Sequence, residues 1–472
     1  MFATLPLLCH TAATLSKGME HSLPTDGSLM TPSFWLAIPF IALLLMIATG
    51  PLFFAGFWHK HYAKVAILLA TFVMAYYCIV LENKIKPIEA AAEYIQFMAL
   101  ITALYMATGG ISIKVATRAT PLANILLLFI GALFANLIGT TGASMLFIRP
   151  YLGLNKGRIK VYHIVFFIFI VSNIGGALTP IGDPPLFLGF LKGVPFEWTL
   201  IHNSLPWCIA LLMLLSIFYF FERNNRPLST PNQVMLDGRS GIVSIAGSKN
   251  LIWLVIVIGG VFLDPTIFPW LPTIDYHGHT ISFVRELIML TVATLSYYSA
   301  NKAVLLSNGF SFAPLNEVCL IFIGIFGTMI PALELIGKFA ASEVGKQLIT
   351  PTTLYWGTGL FSSVLDNAPT YLNFVAASMA AQGADIEVVA NVQAYAAGAI
   401  YPDSVTRLSA IALASVFFGA MTYIGNGPNF MVKAIAEQAG IAMPPFGNYI
   451  FRFSMPILLP ILFVIWFFFF AS

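Results

Sequence analysis

The chain has 472 residues, of which 58% are hydrophobic and only 9% charged, with a formal net charge of +3. Soluble domains carry roughly 25% charged residues, so this composition excludes a soluble globular protein and points to an all-α polytopic membrane protein. The small positive excess lies in loops, and no Lys/Arg block reads as a nucleic-acid patch.

Residues 1–33 open the chain with "MFATLPLLCHTAATLSKG", a short apolar run without a basic n-region. It reads as an extracytoplasmic tail or a degenerate signal peptide. A spanning helix needs about 20 apolar residues. Such runs predict ten spans, over 34–57, 64–82, 93–113, 161–190, 200–221, 250–268, 284–300, 316–337, 407–432 and 447–470. His59 and His61, in "FWHKHYAK", fall in a basic loop after the first. Two more apolar stretches, 121–148 and 353–380, are interrupted by "NLIGTTGAS" (Asn136–Ser144) and "SSVLDNAPT" (Ser362–Thr370). Each reads as a re-entrant hairpin. Cys9, Cys78, Cys208 and Cys319 stand singly and suit neither a metal site nor a disulfide framework.

Loop charges orient the chain through the positive-inside rule. Arg149, Lys156, Arg158 and Lys160 follow the first hairpin, and the loop 222–249 carries Arg223, Arg226, Arg239 and Lys249. Both segments read as cytoplasmic. The segment 381–406 has no Lys or Arg but carries Asp385, Glu387 and Asp403, and the stretch "DPTIFPWLPTIDYHGHT" also lacks both. These read as external. The chain then divides into a first half, 34–221, the cytoplasmic loop 222–249, and a second half, 250–472, with the hairpins dipping in from opposite faces.

An internal repeat ties the halves together. "GALTPIGDPPLF" (Gly176–Phe187) recurs as "GAMTYIGNGPNF" (Gly419–Phe430), with seven of twelve positions identical. Each copy follows a hairpin, and the hairpins share Leu-Phe at Leu133-Phe134 and Leu360-Phe361. Opposite hairpin sidedness makes the repeat inverted, a recurrent build of secondary transporters.

Pro180, Pro184 and Pro185 remove backbone donors, and Gly175, Gly176 and Gly182 disfavour helix. Unwound backbone is tolerated at membrane depth only when buried in protein or lining a wet cavity, so the breaks mark a site. The half-helix starting near Pro185 offers it a positive dipole end. Asp183 and Asp366 fall within breaks, where an ionisable group is a functional candidate by default. The arrangement is crosswise: Asp183 in one broken helix with Thr140 and Thr141 in its hairpin, and Asp366 beside Asn367 in the other hairpin with Asn426 in its broken helix. If the four breaks converge, they also supply Thr179, Thr422, Asn173 and Asn429. All-oxygen ligation suits a hard cation held transiently by Asp183 and Asp366. Proton and metal ion then compete for one carboxylate, and alternating access turns competition into exchange. The plainer alternatives are that the two acids cap half-helices or pair with a buried Arg and that the threonines bond back to helix carbonyls.

At these motifs the sequence resembles the ion transporter superfamily, and within it the NhaD-type sodium/proton antiporters and the citrate transporters (CitMHS-like) grouped with them. The residues that carry the resemblance are "SNIGGALTPIGD" (Ser172–Asp183) and "SSVLDNAPT". The resemblance implies scaffold and transport domains, usually a homodimer, an elevator-like motion, and ion binding by Asp183 and Asp366 with Ser172, Asn173 and Asn367 nearby. Pro184, Pro185 and Leu186 follow the Gly-Asp pair where the antiporters carry hydroxyl residues, which keeps an organic-anion carrier in view.

The expected function is therefore a sodium (lithium)/proton antiporter of a bacterial-type inner membrane. The alternative is a carrier of citrate or another organic anion coupled to cations or protons. Two acids without a basic residue at the same depth favour the cation. No zinc spacing, Gly-x-Ser-x-Gly elbow or phosphate loop is present in the sequence, so neither an enzyme nor a cofactor is expected.

Overall fold

A computed structural model describes residues 32–115, 117–225, 243–263, 268, 270–276 and 279–471. The N-terminal tail up to residue 31 and most of the loop 222–249 lie outside the described residues. The elements are α1 (Ile38–Phe53), α2 (Ala55–Ile79), α3 (Ile85–Gly109), β1 (Ser112–Val115), α4 (Pro121–Leu154), α5 (Val161–Ile170), α6 (Pro184–Lys192), α7 (Trp198–Glu222), β2 (Val243–Ala246), α8 (Ser248–Val261), β3 (Ile274–Tyr276) and β4 (His279–Ile281). They continue as α9 (Val284–Ser299), α10 (Lys302–Ser307), α11 (Ala313–Ala341), α12 (Glu343–Leu348), α13 (Pro351–Val364), α14 (Asn367–Ala380), α15 (Val389–Ala397), α16 (Ser404–Phe417), α17 (Gly427–Gln438) and α18 (Phe446–Tyr449). A π-helical stretch (Ile450–Leu458) then leads into α19 (Leu459–Phe469). The chain is an all-α polytopic membrane protein with two short antiparallel ribbons, β1–β2 and β3–β4.

Seven helices among the described residues are long and apolar enough to cross a membrane. Six of the ten spans that the sequence predicts are among them, the seventh helix being the interrupted stretch Pro121–Leu154, and the other four differ for a physical cause. Expected spans appear as the shorter helices α1, of 16 residues, α8, of 14, and α9, of 16, while 161–190 is broken into pieces. The first two spans also differ. No loop separates them over His59 and His61: the chain bends at Phe54 (φ −135°, ψ 39°) and α2 runs unbroken from Ala55 through both histidines to Ile79.

Both interrupted stretches fold back on themselves. α4 begins with Pro121 at its first turn, and the side chain of Thr120 caps it by accepting from Ala123 N at 3.1 Å. Gly139 then adopts φ +77° and ψ 153°, a backbone conformation open to glycine alone. There the helix reverses: the rings of Phe134 and Phe147 lie 5.4 Å apart, and Asn124 Nδ2 donates to Asn155 Oδ1 at 3.0 Å. Thirty-one residues of straight helix would hold those asparagines about 46 Å apart. In the second half, α13 and α14 form the equivalent pair around Leu365 and Asp366, and Phe361 meets Phe374 at 6.0 Å. The expected hairpin 121–148 thus runs to Leu154, and 353–380 begins at Pro351.

The core lies around α5, whose residues from His163 to Ile170 are all buried. A helix apolar all round is one surrounded by protein. α3 packs against α8, α9 and α11, and α11 also packs against α2 and α14. The exposed apolar side chains of α2 and α7, among them Leu68, Phe72, Leu205 and Leu212, face outward as lipid-facing residues do.

Candidate functional site

The repeated segment has one local structure in both copies. After α5 the chain forms a 3-10 turn (Ile174–Gly176), passes through irregular backbone and re-enters helix at Pro184; after α16 it does the same through Phe418–Met421 and re-enters at Gly427. The expected broken helices 161–190 and 407–432 therefore run as Val161–Lys192 and Ser404–Gln438. Asp183 (φ −147°, ψ 147°) and Asn426 (φ −153°, ψ 138°) occupy the same station, each at the N-cap of its second half-helix. The loops close on themselves through glycine pairs. A Cβ on Gly182 would lie 2.1 Å from Gly176 O, and one on Gly425 would lie 2.7 Å from Gly419 O. Each loop is tied to its hairpin by its threonine: Thr179 Oγ1 donates to Asn136 O at 2.5 Å, and Thr422 Oγ1 to Ser363 O at 2.5 Å.

These threonine bonds match Asn136 with Ser363 and, four residues on, Thr140 with Asn367. The structure brings those two residues to one carboxylate. Asp183 Oδ1 accepts from Thr140 Oγ1 at 2.5 Å and from Asn426 Nδ2 at 3.0 Å, and Oδ2 accepts from Asn367 Nδ2 at 2.5 Å. All four breaks thus meet at Asp183, which is 1% exposed. Its hydrogen-bonding partners are neutral.

Asp183 does not cap its own helix. Pro184 and Pro185 have no N–H to offer it, and Leu186 N and Phe187 N both donate to the Asp183 main-chain oxygen, at 3.1 and 3.3 Å. The carboxylate is left for the other breaks. The helix end expected to offer a positive pole consequently presents no main-chain donor to a ligand.

A second ring supports the first. Asn173 Nδ2 donates to Asn429 Oδ1 at 2.6 Å, and Asn429 Nδ2 reaches Gly419 O at 2.8 Å and Thr422 O at 2.9 Å. Asn426 Nδ2 also lies 3.2 Å from Ser172 O, and Ser172 Oγ lies 2.7 Å from Ser144 Oγ. Amides buried at this depth need partners, and these find them across the two copies.

Not every expected ligand reaches the centre. Thr179 and Thr422 are engaged in the hairpin ties, the second also accepting from Ile424 N and Gly425 N. Thr141 makes no bond to Asp183 but lines a cavity of about 50 Å³ beside it, together with Thr140, Gly139 and Gly182. Its opposite wall is apolar: Phe97, Leu100, Ile101 and Leu104 of α3, and Phe187. Asp366 is half-buried and caps α14, accepting from Ala368 N at 3.1 Å. It joins the cluster through its neighbour Asn367, within electrostatic reach of Asp183.

Sequence reasoning misses two buried charge clusters. Glu222 accepts from Arg158 Nη2 at 2.5 Å, Asn124 Nδ2 at 2.9 Å and the Tyr162 hydroxyl at 2.5 Å, and its Oε2 lies 3.1 Å from His163 Nε2. This hub pins both ends of the α4 hairpin to the start of α5 and the end of α7. Lys192 lies between Glu93 and Glu387. A cation directly after the apolar half-helix "PPLFLGFL" was the available signal for that one. Among the described residues no three His, Cys, Asp or Glu side chains group as a resident metal site.

No curated protein matches the chain. A family model does, over residues 29–470, and its description reads "Putative citrate transport". The match covers nearly the whole chain, broken segments included, and the chain belongs to that family of transporters.

Proposed function

We propose that this chain is a secondary active transporter that exchanges sodium or lithium ions for protons, with Asp183 as the contested group and Asp366 beside it. The observation that carries this reading is the convergence of four chain breaks on one buried carboxylate ringed by neutral donors. A carboxylate in such surroundings is costly as a bare anion, and either a proton or a small cation neutralises it. The two exclude each other, so one alternating site suffices to couple their opposite fluxes. Thr140 and Thr141 stand where hydroxyl oxygens complete the shell of a hard cation. A cavity of about 50 Å³ exceeds the roughly 10–15 Å³ that one water requires, so a small ion can enter it with water. The inverted relation of the halves, their division into scaffold and transport domains, the homodimer and the inner-membrane location belong to the same reading.

A second reading, a carrier of citrate or another organic anion coupled to cations or protons, is favoured by the family description. Against it stand the donor-free end of α6 and the lack of a basic partner on Asp183.

Everted vesicles carrying a pH-sensitive dye separate the two. The proposal expects dequenching on addition of sodium or lithium. Dequenching with citrate and none with sodium would replace the first reading by the second.

A further inference from the structure

A larger cavity, of about 510 Å³, lies between α2, α3, α11 and the segment after α14. On its wall sits an ion cluster that the reading of Asp183 does not use. Lys192 Nζ lies 2.6 Å from Glu93 Oε1 and 2.6 Å from Glu387 Oε2, and the lysine side chain is buried.

The three residues come from three places in the fold. Lys192 is the last residue of α6, the nine-residue half-helix whose N-cap is Asp183. Nine residues of helix span about 13 Å, so the ammonium and the carboxylate sit on one short rod. Glu93 belongs to α3, which supplies the apolar wall facing Asp183 but none of its hydrogen bonds. Glu387 follows α14, whose first residue Asn367 donates to Asp183, and α14 packs on α6. Lys192 and Glu387 are thus attached to the elements that hold the site, and Glu93 to the wall. An aromatic contact lines the smaller cavity, one helical turn along α3 from Glu93. Phe97 of α3 sits 6.5 Å from the Phe187 ring of α6 and stacks on Phe322 of α11 at 4.7 Å. Phe97 and Phe187 are both buried.

We propose that Lys192 is a positioning residue that clasps the half-helix bearing Asp183 to α3. While Lys192–Glu93 holds and Phe97 meets Phe187, the way from the larger cavity to Asp183 is closed. The doubled acid partner gives the clasp its release: when α6 leaves α3, Lys192 parts from Glu93 but keeps Glu387, so its charge is never left unpaired in the protein interior. The inference rests on Asp183 being the transport site, but not on what is transported.

The test reads access to the small cavity in the full chain, in vesicles free of sodium, lithium and citrate. With Cys9, Cys78, Cys208 and Cys319 replaced by serine, Leu100→Cys places a thiol on the wall of that cavity. A membrane-impermeant methanethiosulfonate reagent is applied to right-side-out and to inverted vesicles. Glu93→Gln, which keeps the shape but removes the charge, is expected to speed labelling about tenfold from one face, as weakening an ion pair present in only one state shifts the population. Lys192→Glu is expected to do the same, and Lys192→Glu combined with Glu93→Lys to return the slow rate, which a merely structural loss would not. Unchanged labelling in Glu93→Gln, or fast labelling in the reversed pair, overturns the clasp. Should Lys192→Glu fail to reach the membrane, Glu93→Gln alone decides. Because no transported ion is present, failure here is distinct from failure of the sodium/proton reading, which the dye assay measures.

Discussion

The side-chain amide of Asn367 donates to Asp183 Oδ2 at 2.5 Å although 184 positions separate the two in sequence. The tip of the second hairpin therefore completes the break of the first repeat, and neither half of the chain builds the site by itself. Thr140, at the matching position of the first hairpin, holds the other oxygen at 2.5 Å.

The acids themselves give the sharpest expectation. Asp183→Asn and Asp366→Asn each abolish sodium-dependent dequenching in everted vesicles while the protein remains monodisperse by size exclusion in detergent. Asparagine keeps the shape but carries no exchangeable charge. Exchange like that of the unaltered protein in either variant would remove that carboxylate from the mechanism.

Removing a donor rather than the charge has a graded effect. A hydrogen bond to a charged group contributes about 1.5–3 kcal/mol. Asn367→Ala or Thr140→Ala is thus expected to change the apparent sodium affinity by about 10- to 100-fold, with exchange still measurable at saturating sodium. Titration of the dye response with sodium checks this; an unchanged half-saturating concentration in both variants would show that these bonds do not shape the site.

The loops that carry Asp183 and Asn426 depend on close backbone approach. Gly182→Ala would force a methyl to 2.1 Å from Gly176 O, where only main chain is available to move. Gly427, one residue past Asn426, has nothing within 4 Å of an added Cβ. Gly182→Ala is therefore expected to lose most of the folded, membrane-inserted protein and Gly427→Ala to keep it, as read by fluorescence-detected size exclusion. Equal yields would refute the steric account.

Glu222→Ala leaves the buried Arg158 without its carboxylate. Breaking a buried pair from one side costs about 3–5 kcal/mol. A clear fall in the thermal midpoint in detergent is expected, larger than that of Lys346→Ala, which breaks an exposed pair with Glu343 worth about 0–1 kcal/mol. Comparable midpoints would mean that the hub is not what closes the mouth of the α4 hairpin.

Much of the site was legible because its parts lie next to each other in the chain. Proline and glycine runs in apolar sequence announce broken helices, and twelve aligned positions with seven identities announce two loops of like structure. The hairpins were legible for the same reason, although not where they turn: Gly139 takes its unusual backbone angles within a stretch with several candidates. The assignment of every polar residue in a break as a ligand went too far. Thr179 and Thr422 have the right chemistry, but their oxygens meet hairpin carbonyls instead, and only the three-dimensional course of the chain decides between those fates. The pairing of Lys192 with Glu387, 195 residues away, was not legible: a lysine after an apolar half-helix is a local signal, but nothing local tells a paired buried lysine from one at a membrane surface. The basic stretch at His59 and His61 misled for the opposite reason: polar side chains suggested a loop where the backbone had no cause to leave the helix.

The shared station of Asp183 and Asn426 bears on how a molecule of this design can diversify. Two copies of one loop lodge their equivalent side chains at a common centre, and aspartate and asparagine are nearly isosteric. A carboxylate can accordingly be relocated from one copy to the other by a pair of conservative exchanges, with the surrounding framework intact. Twin loops of this kind turn the position of a charge into an adjustable character of a lineage, separable from the architecture that houses it.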